Sequence, residues 1–287
     1  MIGEPLKAHL RDKGHTLHTL VRREPTNPSE HRWYPEKGVI ESGIIDHVDA
    51  VVNLSGASIG KLPWTRKHKD LILSSRVQAT HTIAAAIAAS ATPPAVLIQG
   101  SAVGFYGDRA EEDLTEDSAA GEGFLADVVS AWEEAAAPAA GSQTRIVYAR
   151  TGLVVGRGGA MAPLMLQTSL GVAGPVGSGT QWWPWVSLLD EVRALAYLIE
   201  NPQAKGPYNL VGPTPARAND LARALAKRMK RPFWLGLPAF VIRAVMGEGG
   251  VSLLLTSQNI RSQKLQTEGF SFEDTTVDDA LARMVNS

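Results

Sequence analysis

The spacing of apolar positions along this chain changes period several times, and each change marks an element. Leu6 and Leu10 recur at helical spacing behind Pro5, which suits a first turn, and Gly14 suits a helix stop. His15 to Arg22 alternates as a strand does. The stretch from Arg23 to Glu41 is rich in Pro, Glu and Gly, which predicts loop with a short extended piece. Asp49 to Leu54 is a short β-branched run ending at Ser55-Gly56-Ala57, the pattern of a buried parallel strand entering a loop. Leu71, Ile72, Val77, Ile83 and Ile87 predict a helix over 66–91, stopped by Pro93-Pro94. Ala95 to Ser101 predicts the next strand, Gly121 to Ala137 a helix broken by Pro138, and Arg145 to Val155 a strand before the glycine-rich turn 156–159. Tyr208 to Val211 predicts a last short strand.

Strands alternating with helices predict an α/β fold, a Rossmann-like doubly wound parallel sheet with helices on both faces. After Pro213 the pattern turns helical over 218–229, 238–246 and 251–261. This divides the chain into an α/β domain, 1–212, and a smaller, mostly helical C-terminal lobe, 213–287.

Composition narrows the function classes. The net charge of −1 predicts no broad attraction to nucleic acid or to an anionic membrane. No apolar run approaches the length of a membrane span. The absence of cysteine excludes disulfides, thiolate metal ligands and a Cys nucleophile, and it fits a reducing cytoplasm. The histidines form no HExxH pattern, so no metal site is expected. The partner expected is a small molecule. The sequence does not report an oligomeric state.

Met1-Ile2-Gly3, Leu6, Leu10, Gly14-His15, Leu17, Leu20 and Arg22 read like the second half of a dinucleotide-binding βαβ unit. Gly3 stands where the third glycine of G-x-x-G-x-x-G would stand. The strand and the two glycines that precede it in such a unit would have to precede Met1, so either the true start lies upstream or the chain lacks that clamp. A chain without that strand is expected to have unpaired strand edges and poor solubility. At these residues the chain resembles the extended short-chain dehydrogenase/reductase superfamily, the NAD(P)-dependent epimerase/dehydratase group. Asn53-Leu54-Ser55-Gly56-Ala57, Ser75-Arg76, Gly100 to Gly107, Trp132-Glu133 and Gly177 to Gln181 extend the resemblance over nearly the whole chain, toward an atypical branch with a helical C-terminal extension.

The resemblance implies a dinucleotide cofactor at a helix N-terminus. Arg22 and Arg23 fall where the adenosine ribose would lie, and arginine there favours a 2′-phosphate, so NADP is expected over NAD. Asn53, Leu54, Ser55 and Gly56 match the group's Asn-x-Ala-Gly loop beneath the cofactor. Arg76 stands where an Asn is usual and could hold a phosphate or a carboxylate. Arg150 and Thr151 complete the cofactor candidates. Ser101 falls at or beside the catalytic serine position.

The departures are equally specific. None of the five tyrosines has a lysine four residues later, so Tyr-x-x-x-Lys is absent, and Leu125 and Val129 occupy its places. Tyr106 is the remaining proton-donor candidate, by elimination. Gln181 and Trp183 are the substrate-cleft candidates, with Trp183 where sugar-nucleotide enzymes carry a diphosphate-binding arginine. These residues leave two readings open, besides a truncated product that does neither. One is an NADP-dependent oxidoreductase or epimerase acting on an unknown small substrate. The other is a catalytically silent NADP-binding regulatory or interaction protein.

Overall fold

The computed structural model describes residues 1–286. Helix α1 (Gly3–Asp12) opens the chain. Strands β1 (Thr19–Val21), β2 (Glu30–Tyr34) and β3 (Val39–Ile40) form a small sheet, parallel between β1 and β2 and antiparallel between β2 and β3. Two of these strands lie in the stretch 23–41, where a loop with one short extended piece is expected. Its Pro and Gly residues fill the turns, and the alternating Glu30-His31-Arg32-Trp33-Tyr34 carries the pairing.

Next come β4 (Ala50–Asn53), α2 (Arg66–Ala88), β5 (Val96–Ala102), β6 (Asp113–Leu114), α3 (Phe124–Glu134) and β7 (Arg145–Thr151). The remaining elements are β8 (Leu153–Val155), α4 (Met161–Ser169), β9 (Trp182–Trp183), β10 (Trp185–Ser187), α5 (Leu188–Glu200), β11 (Gly206–Leu210), β12 (Ala216–Arg217), α6 (Ala218–Arg228), α7 (Ala239–Gly250), β13 (Asn259–Ile260), α8 (Gln263–Thr267) and α9 (Val277–Asn286).

The main sheet is all parallel, in the order β11-β7-β5-β4. Its strands alternate sides, as the pleat requires. Val96 and Ile98 of β5 face Leu6 and Leu10 of α1 and Leu195 and Leu198 of α5. Leu97 faces Ala79, Ile83 and Ile87 of α2. Helices therefore cover both faces, as the alternation predicts. Among the described residues, β4 and β1 are the edges of their sheets and neither pairs with the other.

The stretch 145–155 is two strands rather than one. At Gly152 the chain passes so close to Pro184 that a β-carbon would sit 2.3 Å from its carbonyl oxygen. There the ladder changes partner, from β11 to β10. The expected helix over 251–261 is one helical turn, Val251–Leu255, followed by β13, which pairs with β6.

The expected boundary at residue 212 does not divide two cores. The second apolar cluster joins Leu221 and Leu225 of α6 and Leu281 and Met284 of α9 to Val155, Met161, Trp183 and Trp185 from the preceding stretch. Phe270 returns to the cluster under the main sheet. Burying the lobe's helical faces requires these earlier segments, so chain order and packing do not coincide.

Candidate functional site

The parallel register brings the carboxyl ends of β4, β5 and β7 to one edge, with Asn53 opposite Gln99 and Ser101 opposite Arg150. Such an edge is where open parallel sheets bind ligands. Asn53 is buried and fully engaged. Its Nδ2 donates to Gln99 Oε1 at 3.0 Å and Thr80 Oγ1 at 3.1 Å, and its Oδ1 accepts the Ser55 amide at 3.1 Å. The Asn53 side chain therefore shapes the loop rather than presenting donors to it. Leu54 packs against the core beneath the sheet.

At Gly56 a β-carbon would lie 3.0 Å from Arg76 Cζ, so glycine lets the guanidinium lie close over the loop without shifting. Arg76 Nη1 donates to the carbonyls of Ala57 and Ile72, each at 3.0 Å, and Cζ sits 5.0 Å from the Trp132 ring. Among the described residues no carboxylate pairs with Arg76, and burial pushes its pKa down to about 10. Its Nε and Nη2 have no acceptor among those residues. A half-buried cation with donors to spare is suited to an anionic ligand.

The two residues expected to be catalytic are tied into a buried network. Ser101 Oγ donates to Glu133 Oε1 at 2.6 Å. Arg150 clamps the same carboxylate, with Nε to Oε1 and Nη2 to Oε2 both at 2.9 Å. Its Nη1 donates to Tyr106 Oη at 3.0 Å, and Tyr106 donates onward to Asn209 Oδ1 at 2.7 Å. Tyr106 is 0% exposed, and burial raises its phenol pKa. It is not placed to protonate a substrate, which corrects that assignment: a hydroxyl with no open face and both partners fixed is a structural group. Ser101 is likewise buried and committed to Glu133. Arg150 is withdrawn from the cofactor candidates for the same reason, since Glu133, Tyr106 and the Phe105 ring at 3.5 Å surround it. Beside this network, a β-carbon on Gly104 would lie 3.3 Å from Leu125 Cβ. Val129 packs on the same glycine, its Cγ2 3.8 Å from that β-carbon.

Gly3 is the first residue of α1. Met1 lies over the turn after β8, where a β-carbon on Gly159 would meet its sulfur at 2.9 Å. Arg22 follows β1, is exposed, and has no hydrogen bond or ion pair among the described residues. Arg23 is taken by Glu30, with contacts of 2.6 and 2.7 Å, which corrects its pairing with Arg22 as a cofactor ligand. Thr151 Oγ1 donates to Glu191 Oε1 at 2.8 Å rather than facing open space. Glu191 is fully buried, its Oε2 has no partner among the described residues, and burial lifts its pKa to about 8. Sequence reasoning missed Glu191 and the role of Glu133. The available signals were an acid in a first helical turn and the Trp132-Glu133 pair.

The substrate-cleft candidates also move. Gln181 is buried, and its Nε2 donates to the carbonyls of Val176 at 3.0 Å and Leu254 at 2.8 Å. Trp183 is buried in the second core, and Trp185 Nε1 donates to Thr214 at 2.9 Å. A β-carbon on Gly212 would strike the Trp185 ring at 2.7 Å. The tryptophans cement sheet to lobe, because indoles this tightly enclosed leave no room for a ligand ring.

The chain is similar to known proteins over its whole length. A family model described as the NAD dependent epimerase/dehydratase family matches residues 1–211, and one described as a domain of unknown function matches residues 237–284. An epimerase family protein of Mycobacterium tuberculosis is 39% identical over 282 residues, which cover 98% of this chain and 93% of that protein. The epimerase family protein SDR39U1 of Bos taurus is 34% identical over 289 residues, covering 99% and 96%. A crystal structure of human SDR39U1 with NADPH superposes with a TM-score of 0.92 at 30% identity, covering 100% of this chain and 96% of that one. The chain belongs to the NAD dependent epimerase/dehydratase family, and it carries the additional C-terminal domain that matches residues 237–284.

Proposed function

We propose that this chain binds NADPH along the carboxyl edge of its parallel sheet and does so without a Tyr–Lys proton relay. The observation that carries the reading is that two arginines at the expected cofactor positions, Arg22 after β1 and Arg76 over Gly56, have no carboxylate partner among the described residues. The residues present fit the group. Gly56 leaves the space that a β-carbon would close, Arg76 keeps two nitrogens without acceptors, and Arg22 offers a cation to a 2′-phosphate. Gly3 opens α1, whose first amides favour an anion. The Asn53–Gly56 loop lies beneath the nucleotide in this reading, held in shape by the buried Asn53 amide. When bound, NADPH supplies a transferable hydride, and this chain's own residues bind and orient it. The human relative crystallised with NADPH supports the choice of cofactor.

The test is a fluorescence titration of the full chain with NADPH. Saturable quenching or enhancement is expected, with weaker binding of NADH. No change at millimolar NADPH would overturn the reading.

A second reading is an oxidoreductase acting on a small substrate, in which Ser101 at the same sheet edge would have to release its bond to Glu133 to reach a substrate oxygen. NADPH oxidation across a panel of small carbonyl compounds separates the two readings. Turnover lost in Ser101→Ala, with NADPH binding kept, would establish the enzyme.

A further inference from the structure

The C-terminal part of the fold carries a surface that the nucleotide site does not use. Leu170 and Trp234 are 68% and 66% exposed, and Phe240 and Val245 of α7 are 71% and 69% exposed. The first two lie on segments that are bonded together. The Trp234 amide donates to the Ala173 carbonyl at 2.8 Å, and the Trp234 indole donates to the Gly171 carbonyl at 2.9 Å. The Trp234 ring is therefore held in place while most of its surface faces water. The amide of Leu237, just before α7, donates to the Pro175 carbonyl in the same ribbon at 2.7 Å. Large apolar side chains fixed in water on adjoining segments mark a contact surface.

Basic residues dominate this part of the chain, and the carboxylates closest to it in the fold are paired, Asp278 with Arg228 and Glu248 of α7 with Lys69. Residues 221–247 hold six of the 28 Lys and Arg residues and none of the 29 Asp and Glu residues. The stretch 158–189, which supplies α4 and the ribbon, has no charged side chain. Lys227, Lys230, Arg231 and Arg243 are exposed and have no ion pair among the described residues, whereas Arg228 pairs with Asp278. The overall charge of −1 averages over this asymmetry.

We propose that this surface, Leu170, Trp234 and Phe240 with the unpaired cations Lys230 and Arg231 beside Trp234 in the chain, docks on an anionic lipid surface. Aromatic and aliphatic side chains enter the headgroup layer while lysine and arginine meet its phosphates. A second copy of the chain is the poorer occupant, because a two-fold contact would set the same cations against one another. No helix among the described residues is long and apolar enough to cross a membrane, so the attachment is peripheral.

The test is flotation of the full chain with vesicles of phosphatidylcholine alone, or of phosphatidylcholine with about a third phosphatidylglycerol, at low and high salt. Co-flotation with the anionic vesicles only is expected, lost at high salt, with a blue shift of tryptophan emission. The charge-reversal pair Lys230→Glu and Arg231→Glu is expected to lower partitioning by about tenfold or more. Trp234→Ala with Phe240→Ala is expected to abolish the blue shift. These positions are on the surface, and an unchanged thermal melt shows that each variant folds. Absence of flotation at low salt, or flotation that both pairs of substitutions leave unchanged, would overturn the proposal. So would a concentration-dependent dimer, seen by sedimentation and removed by the same substitutions, which would identify a second copy as the occupant.

Discussion

Arg150 holds Glu133 with two parallel nitrogen–oxygen contacts of 2.9 Å each, and both side chains are largely buried between the sheet and α3. Such a pair is stable only while intact. Each charge has left water, and each is compensated by the other. Glu133→Gln keeps the shape but leaves the Arg150 guanidinium without its counter-charge. We expect a loss of about 3–5 kcal/mol in denaturant unfolding. A variant within 1 kcal/mol of wild type would mean that water already neutralises this pair.

The same network makes Tyr106 a structural residue, and this separates it from a proton donor. Tyr106→Phe deletes one bond to Asn209 and one to a charged arginine. A stability loss of about 2 kcal/mol is expected. NADPH affinity, and any turnover found in the carbonyl panel, should stay unchanged in the folded fraction. Turnover that vanishes in a fully folded Tyr106→Phe protein would return the phenol to the reaction.

Much of the fold was legible because its signals are local. β-Branched runs bounded by glycine or proline located β4, β5 and β7, and the apolar spacing of α2 placed that helix to within a few residues of its observed end. The elements missed depend on distant partners. β8 separates from β7 only because Pro184 packs against Gly152, and β13 is a strand only because β6 lies beside it. The site was less legible for the same reason. Residue types at Ser101, Tyr106 and Gln181 matched a chemical role, but the partners of Ser101 and Tyr106 lie 32 and 103 positions away in sequence, and Gln181 is held by the carbonyls of Val176 and of Leu254, the latter 73 positions away. Arg22 and Arg76 differ, because no partner among the described residues claims the charge of either.

Glu191 gives the protein a pH dependence whose sign is fixed by its burial. Its pKa is raised in the fold from 4.5 to about 8, so the folded state keeps a proton that the unfolded chain gives up near pH 4.5. The associated stability is complete below that unfolded value and is lost as pH rises to the folded value, falling by at most about 1.4 kcal/mol per pH unit. Glu191→Gln removes the titrating group and can still accept from Thr151. Urea melts between pH 5 and pH 8 should therefore show a smaller decline in the variant than in wild type, with the variant the more stable at pH 8. Parallel curves would show that Glu191 is already ionised in the fold.

The two arginines make separable predictions about cofactor choice. If Arg22 meets the 2′-phosphate, its removal affects only the nucleotide that carries that group. Arg22→Ala should weaken NADPH by roughly tenfold or more, the value of a charge-assisted contact, and leave NADH unchanged. Arg76 lies over the Gly56 loop, where it would meet a portion common to both nucleotides. Arg76→Gln should weaken NADPH and NADH alike. Both variants are measured by the same fluorescence titration, and a melt confirms that they fold. Equal losses for both nucleotides in Arg22→Ala would remove that residue from the 2′-phosphate, and a loss confined to NADPH in Arg76→Gln would exchange the two roles.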